Sequence, residues 1–133
     1  MELILIDLEN KHGATLNHLM VQAGVPVRWI VIRDLNDFLE ILKQNIIAIY
    51  CLPFIAEEDN KALIDKINEL KNKGAIFVTA QETEKNILSE CCNYIMDYPI
   101  TWAVKDGYGS IEQTGTSIAC AFKAYQLYKK ENN

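Results

Sequence analysis

Residues 46–80 read IIAIYCLPFIAEEDNKALIDKINELKNKGAIFVTA, and this stretch decides the fold. Ile46 to Leu52 is an unbroken apolar run, rich in β-branched and aromatic residues, stopped by Pro53, which cannot donate to a sheet ladder. From Glu57 to Asn72 the apolar residues Leu63, Ile64, Ile67 and Leu70 recur at helical spacing, and Lys73-Gly74 supplies a helix stop. Ala75 to Ala80 is a second apolar run. A helix between two strands that are apolar throughout is the pattern of a parallel sheet covered on both faces.

The same alternation extends in both directions. Upstream, Leu3-Ile4-Leu5-Ile6 is an apolar β run that stops at Asp7. Gly13 to Gln22 reads as a helix with Leu16, Leu19, Met20 and Ala23 on one face and Gly24 beyond its end. Val27 to Ile32 is another strand. Asn36 or Asp37 is placed to cap a helix whose apolar positions are Phe38, Leu39, Ile41 and Leu42. Downstream, Thr83 to Cys92 reads as a short helix or ordered loop. Tyr94 to Met96 and Thr101 to Val104 are short strand candidates, and Asp106 to Thr114 is rich in turn formers. Thr116 to Lys130 is a final helix, with Ile118, Ala121, Phe122, Tyr125 and Leu127 toward the core. The expectation is one three-layer α/β/α domain over residues 1–133, built on a parallel sheet with right-handed crossovers.

Composition narrows the function classes. The chain has 133 residues, half of them hydrophobic, and a formal net charge of -5. Phosphate-backbone binding needs clustered Lys and Arg, so this balance argues against a nucleic-acid partner. No apolar run approaches the ~20 residues of a membrane span. Met1-Glu2 lacks the basic start of a secretory signal, so the expectation is a cytoplasmic protein with reduced thiols at Cys51, Cys91, Cys92 and Cys120. Adjacent cysteines and two separate histidines do not make a metal set, and neither metal nor cofactor is expected. His18 reads as a surface or boundary residue.

In open α/β sheets the functional groups gather at the carboxyl ends of the strands. Three polar residues fall at strand–helix junctions: Asp7 after the first strand, His12 before the first helix, and Ser117 at the start of the last. Singly, each has a plain structural use, as a turn former, a helix-start residue and an N-cap or first-turn residue. Together they are an acid, a base and a hydroxyl that sequence order allows to converge on one sheet edge.

Their contexts resemble the catalytic motifs of subtilisin-like (S8) serine proteases. Ile4-Leu5-Ile6-Asp7 is similar to the strand bearing that family's catalytic Asp. His12-Gly13 before an apolar helix, and Gly115-Thr116-Ser117-Ile118-Ala119 leading a small-residue helix, resemble its two catalytic-helix motifs. The order Asp, His, Ser is also the family's. Asn45 to Tyr50, Lys73 to Ala80, and Tyr98-Pro99 followed by Ile100 to Val104 resemble its central strand, the run into its oxyanion loop, and its Tyr-Pro turn. The resemblance implies a reduced subtilisin-like core. Ser117 would be the nucleophile, His12 its general base, and Asp7 the group that fixes the imidazole.

The sequence also departs from that pattern. Where the family carries Gly-Asn in its oxyanion loop, this chain has Ala80-Gln81-Glu82-Thr83, leaving Gln81 or Thr83 as candidate donors in what reads as a solvated loop. Pro53 stands where a substrate-pairing N–H is usual. Thr15 replaces the second histidine of His-Gly-Thr-His, and there is no room for the family's calcium loops. The implied task is therefore narrow: cleavage of a dedicated peptide or protein precursor. One alternative is a catalytically impaired relative that binds a peptide or partner protein, with homo-oligomerisation as a further option. A second is a nucleotide- or sugar-phosphate-binding domain. Gly107-Tyr108-Gly109 does not complete a Gly-x-Gly-x-x-Gly, and neither Gly-x-x-x-x-Gly-Lys nor Gly-x-Ser-x-Gly occurs.

Overall fold

The computed structural model describes residues 1–8, 17–18, 20–21, 24, 27–52, 60–81, 91–97 and 124–130. Five strands are present: β1 (Leu3–Leu8), β2 (Val27–Ile32), β3 (Ile49–Leu52), β4 (Ile76–Gln81) and β5 (Tyr94–Asp97). They form one sheet in the order β2-β1-β3-β4-β5. Every neighbouring pair is parallel. This is the α/β architecture that the apolar strands and intervening helices predict.

Strand alternation divides the interior in two. Ile4, Ile6 and Leu8 of β1 pack with Ala48, Tyr50, Leu52 and Phe77. That side is covered by Leu35, Phe38 and Leu42 of one helix and Leu63, Ile67 and Leu70 of another. Leu3 and Leu5 point the other way, where Ile49, Cys51 and Val78 meet Met20, Ala124 and Leu127. Residues 17, 18, 20, 21 and 124–130 are helical. Helices on both faces bury the central strands, which is why β1 and β3 are largely apolar on both sides, while the edge strand β2 leaves Trp29 and Val31 exposed.

The helix Leu35–Leu42 is capped by Asp34, two residues before Asn36 and three before Asp37, the predicted caps. Asp34 is extended, and its Oδ1 accepts the Asp37 N–H at 3.1 Å. Asn36 and Asp37 lie inside the helix, and Asp37 instead accepts the Arg33 N–H at 2.9 Å. The helix Lys61–Asn72 is capped by Asn60, whose Oδ1 accepts the Leu63 N–H at 3.0 Å. Its end turns through Gly74 at φ +105°, a conformation a side chain would strain. Strand β3 starts at Ile49 rather than Ile46, because the ladders begin there: Ile49 pairs with both Leu3 and Ile76. Ile46 and Ile47 still pack against the core.

Tyr50 is the polar member of the larger core. Its ring stacks on Phe77 at 5.0 Å with a 12° interplanar angle and meets Phe38 edge-on at 6.2 Å. Its hydroxyl donates to the Ile46 carbonyl at 2.6 Å, so the buried O–H has a partner. Burial pushes this hydroxyl up from 10.0 to about 12; the Glu2 carboxylate adds to the shift and the Arg28 guanidinium opposes it. Folding therefore favours the neutral phenol. The resulting stability is complete below the unfolded value of 10.0 and is lost as pH rises toward about 12. After allowance for solvent screening, the pH-dependent part is ~1–2 kcal/mol. Tyr50→Phe lacks this component, so the gap in urea midpoint between wild type and Tyr50→Phe is expected to narrow between about pH 10 and about pH 12.

Candidate functional site

The carboxyl edge of the sheet has a geometric break beside β1. The chain leaving β1 leads to β2 on one side of it, whereas the chain leaving β3 leads to β4 on the other. At such a switch point the connections diverge and a crevice opens. The register locates it. The β1–β3 ladder pairs Leu3 with Ile49, Ile4 with Tyr50 and Leu5 with Cys51, and ends there. The β1–β2 ladder continues through Asp7↔Val31 and Leu8↔Ile32. Among the described residues, Asp7 therefore lies past the last β1–β3 pair and is paired with β2.

This corrects the reading of Asp7 as the residue at which the strand stops. It belongs to β1, which runs on to Leu8, because β2 supplies a partner as far as Ile32. Alternation puts Asp7 on the same face as Leu3 and Leu5, the face packed against Met20, Ala124 and Leu127. Asp7 is only 5% exposed. A buried carboxylate must be hydrogen-bonded, and its Oδ2 accepts the Trp29 Nε1–H at 2.9 Å.

His12 and Ser117 lie outside the described residues, as does Thr83. The helical residues that follow them in sequence are described. Met20, eight residues after His12, and Ala124, seven after Ser117, belong to the same core cluster as Leu5. The segments trailing both candidates therefore cover the sheet face on which Asp7 lies. Helix residue His18 is exposed, as its sequence reading predicts.

Gln81 is not a loop residue. It closes β4, its Cα paired with Asp97 of β5. Following the register through Leu5↔Cys51 and Cys51↔Val78, Gln81 is level with Leu8 and two strands away from it. At the usual strand spacing its backbone is ~10 Å from β1. Between them, the buried Thr79 donates its hydroxyl to the Leu52 carbonyl at 2.9 Å, tying the ends of β3 and β4 together.

Among the described residues, no cluster of His, Cys, Asp and Glu is arranged to hold a metal ion. None of Cys51, Cys91 and Cys92 is in a disulfide. The hydrogen bond with Cys91, and burial after it, push the Cys92 thiol up, the opposite of what a thiolate nucleophile needs. A cavity of about 280 Å³ lies at the other end of β1, lined by Met1, Glu2, Leu3, Val27, Arg28 and Tyr128. It is at the amino edge, away from Asp7. Sequence inspection missed Trp29 as part of the site. The available signal was its place in the strand that flanks β1, three residues before the end of a six-residue ladder.

No family model and no curated protein matches the chain. Solved structures do. The chain is similar to a 3-dehydroquinate dehydratase-like protein from Bifidobacterium longum at 12% identity and a TM-score of 0.60, over 96% of this chain and 98% of that one. It is similar to a protein from Salmonella typhimurium described as sugar-binding, at 18% identity and a TM-score of 0.55, over 97% of this chain but 39% of that one. A signal receiver domain of a LuxO repressor protein from Vibrio parahaemolyticus gives 13% identity and a TM-score of 0.50, over 100% and 99% of the two chains. None of these three is named as a peptidase. No helix among the described residues is long and apolar enough to cross a membrane. At these identities the likenesses establish the fold, an α/β domain on a parallel sheet.

Proposed function

We propose that the chain is a reduced subtilisin-like serine peptidase acting inside the cell on a dedicated peptide or protein precursor, with Asp7, His12 and Ser117 as its triad. The observation that carries this reading is the placement of Asp7. It is a buried, hydrogen-bonded carboxylate at the switch point, on the sheet face covered by the segments that follow His12 and Ser117. A triad asks this of its acid: shielded from water, held in one orientation, and next to the elements that bring the base and the nucleophile.

In this mechanism Ser117 attacks the scissile carbonyl while His12 takes the hydroxyl proton. His12 then passes that proton to the leaving amine. Asp7 keeps the imidazole in the tautomer that can accept from Ser117 and stabilises the imidazolium. Water repeats the sequence to release the acyl group. The oxyanion would be met by the Ser117 backbone N–H, with Gln81 or Thr83 as the second donor. Replacing the family's oxyanion asparagine is consistent with a slow enzyme for a single substrate.

A mixture of defined peptides incubated with the protein and read by mass spectrometry tests the reading. Cleavage at a restricted set of bonds, abolished in Ser117→Ala, is the expected result. Cleavage that persists in Ser117→Ala, or none under conditions in which the protein is folded, counts against it.

A second reading has its own observation. Val21, Trp29 and Val31 are exposed large apolar residues, and Trp29 and Val31 share one face of the edge strand β2. That favours a catalytically impaired relative holding a peptide or partner protein there. In that case partner binding survives Ser117→Ala unchanged. The name of one structural neighbour mentions sugar binding, but an acidic residue at the crevice and a net charge of -5 disfavour a phosphate ligand there.

A further inference from the structure

The strand β2 forms one edge of the sheet and carries few of the features that blunt an edge. Among the described residues it pairs with β1 alone, so its outer row of backbone N–H and C=O groups faces away from the sheet. Its ladder to β1 runs through six consecutive pairs without a bulge, and Val27–Ile32 contains neither proline nor lysine. The two faces of β2 differ. Ile30 and Ile32 lie on the face covered by the helix Leu35–Leu42 and pack with the larger core. Trp29 and Val31 lie on the other face, 36% and 48% exposed, two of the three exposed large apolar residues among those described.

A second copy of this chain complements that edge in charge as well as in shape. Two identical strands that close on each other are antiparallel about a two-fold axis perpendicular to the sheet, so equivalent side chains fall on the same face. The axis must then pass through a residue, and charge decides which. Centring on Ile30 sets Trp29 opposite the partner's Val31, and Val31 opposite the partner's Trp29, an aromatic against a β-branched residue twice over. It also sets Arg28 opposite the partner's Ile32, one diagonal step from the partner's Asp34, and the backbone at Asp34 is still extended. Arg28 is available for this contact: its side chain is 47% exposed and its guanidinium lies 3.6 Å from Glu2, a loose surface pair. Centring on Trp29 instead puts the two Arg28 side chains on that diagonal, a like-charge contact. Centring on Val31 leaves only residues 30–32 of β2 in the shared ladder.

We propose that the chain forms a two-fold homodimer through β2, an antiparallel β2–β2 pairing centred on Ile30 that joins the two sheets into one; this does not depend on the peptidase reading. The carboxyl edges of the two sheets then point in opposite directions, so each copy keeps its own crevice beside Asp7.

Sedimentation equilibrium of the full chain tests the proposal. One strand edge is small beside the ~800 Å² per partner of a stable complex, so dimerisation is expected in the micromolar range, between ~1 and ~100 μM. Val31→Lys, a change at an exposed position, brings two ammonium groups into the pairing. It is expected to leave a monomer throughout that range with the far-ultraviolet circular dichroism of the wild type. Asp34→Asn keeps a competent helix cap but removes the charge that meets Arg28, and is expected to raise the dissociation constant ~2- to 10-fold. Added salt is expected to weaken the wild-type dimer more than the Asp34→Asn dimer. A wild type that is monomeric at ~100 μM, or a dimer indifferent to Val31→Lys, overturns the proposal. A dimer lost in Val31→Lys but indifferent to Asp34→Asn and to salt overturns the Ile30-centred register. A monomeric wild type whose tryptophan fluorescence responds to a mixture of defined peptides, with the response lost in Val31→Lys, assigns the edge to a peptide and overturns self-association.

Discussion

Phe77→Ala is expected to cost about 3–5 kcal/mol of unfolding free energy, the largest stability effect of any single truncation considered for this fold. Phe77 is 2% exposed and lies in β4, stacked on Tyr50. Tyr50 in turn meets Phe38 of the helix Leu35–Leu42, so three rings link the sheet to that helix. The backbone of residue 77 is tied independently of its side chain. Its N–H donates to Asn93 Oδ1 at 2.8 Å, and its carbonyl accepts the Asn93 N–H at 3.0 Å. The strand cannot readily collapse into the space left by the ring, so the cavity term adds to the lost transfer energy. A total stability of roughly 5–15 kcal/mol would be cut substantially. Urea unfolding with an unchanged m-value measures the loss directly. A change below about 1 kcal/mol would mean the three-ring stack is not the support described.

The largest functional effect is expected from Asp7→Asn. An asparagine fits the same volume, and its amide oxygen can still accept from Trp29. In the proposed triad it cannot hold His12 in the tautomer that accepts from Ser117, nor stabilise the imidazolium. Acylation of Ser117 is therefore expected to fall on the order of 10⁴-fold with the fold intact. The rate of fluorophosphonate labelling and the near-ultraviolet circular dichroism of the same samples check both halves of that statement. A rate within about ten-fold of wild type would remove Asp7 from the mechanism.

The fold is largely legible in the sequence because burial on both faces makes each central strand continuously apolar. The helix Lys61–Asn72 is legible because Leu63, Ile67 and Leu70 recur on one face and Gly74 ends it. What composition does not resolve are the places where geometry chooses among equivalents. Asp34, Asn36 and Asp37 are all competent caps, and only the extended backbone of Asp34 selects it. Ile46 to Ala48 are as strand-like as Ile49 to Leu52, yet the ladders to β1 and β4 begin at Ile49. A carboxylate is unexpected inside a strand, so Asp7 reads as a terminator. The long β1–β2 ladder keeps it in the sheet, where Trp29 can reach it. That partnership depends on the register between two strands, with Asp7 and Trp29 22 residues apart in sequence, which no local pattern records.

The proposed peptidase requires Ser117 to be an activated nucleophile. Its most direct test is the intact mass of the folded protein after reaction with a fluorophosphonate probe, for wild type, Ser117→Ala and His12→Ala. One probe adduct on the wild type and none on either variant is the predicted result, and it would place a working base beside Ser117. An unlabelled wild type, or equal labelling of Ser117→Ala, would contradict the peptidase reading and leave the fold with a binding role.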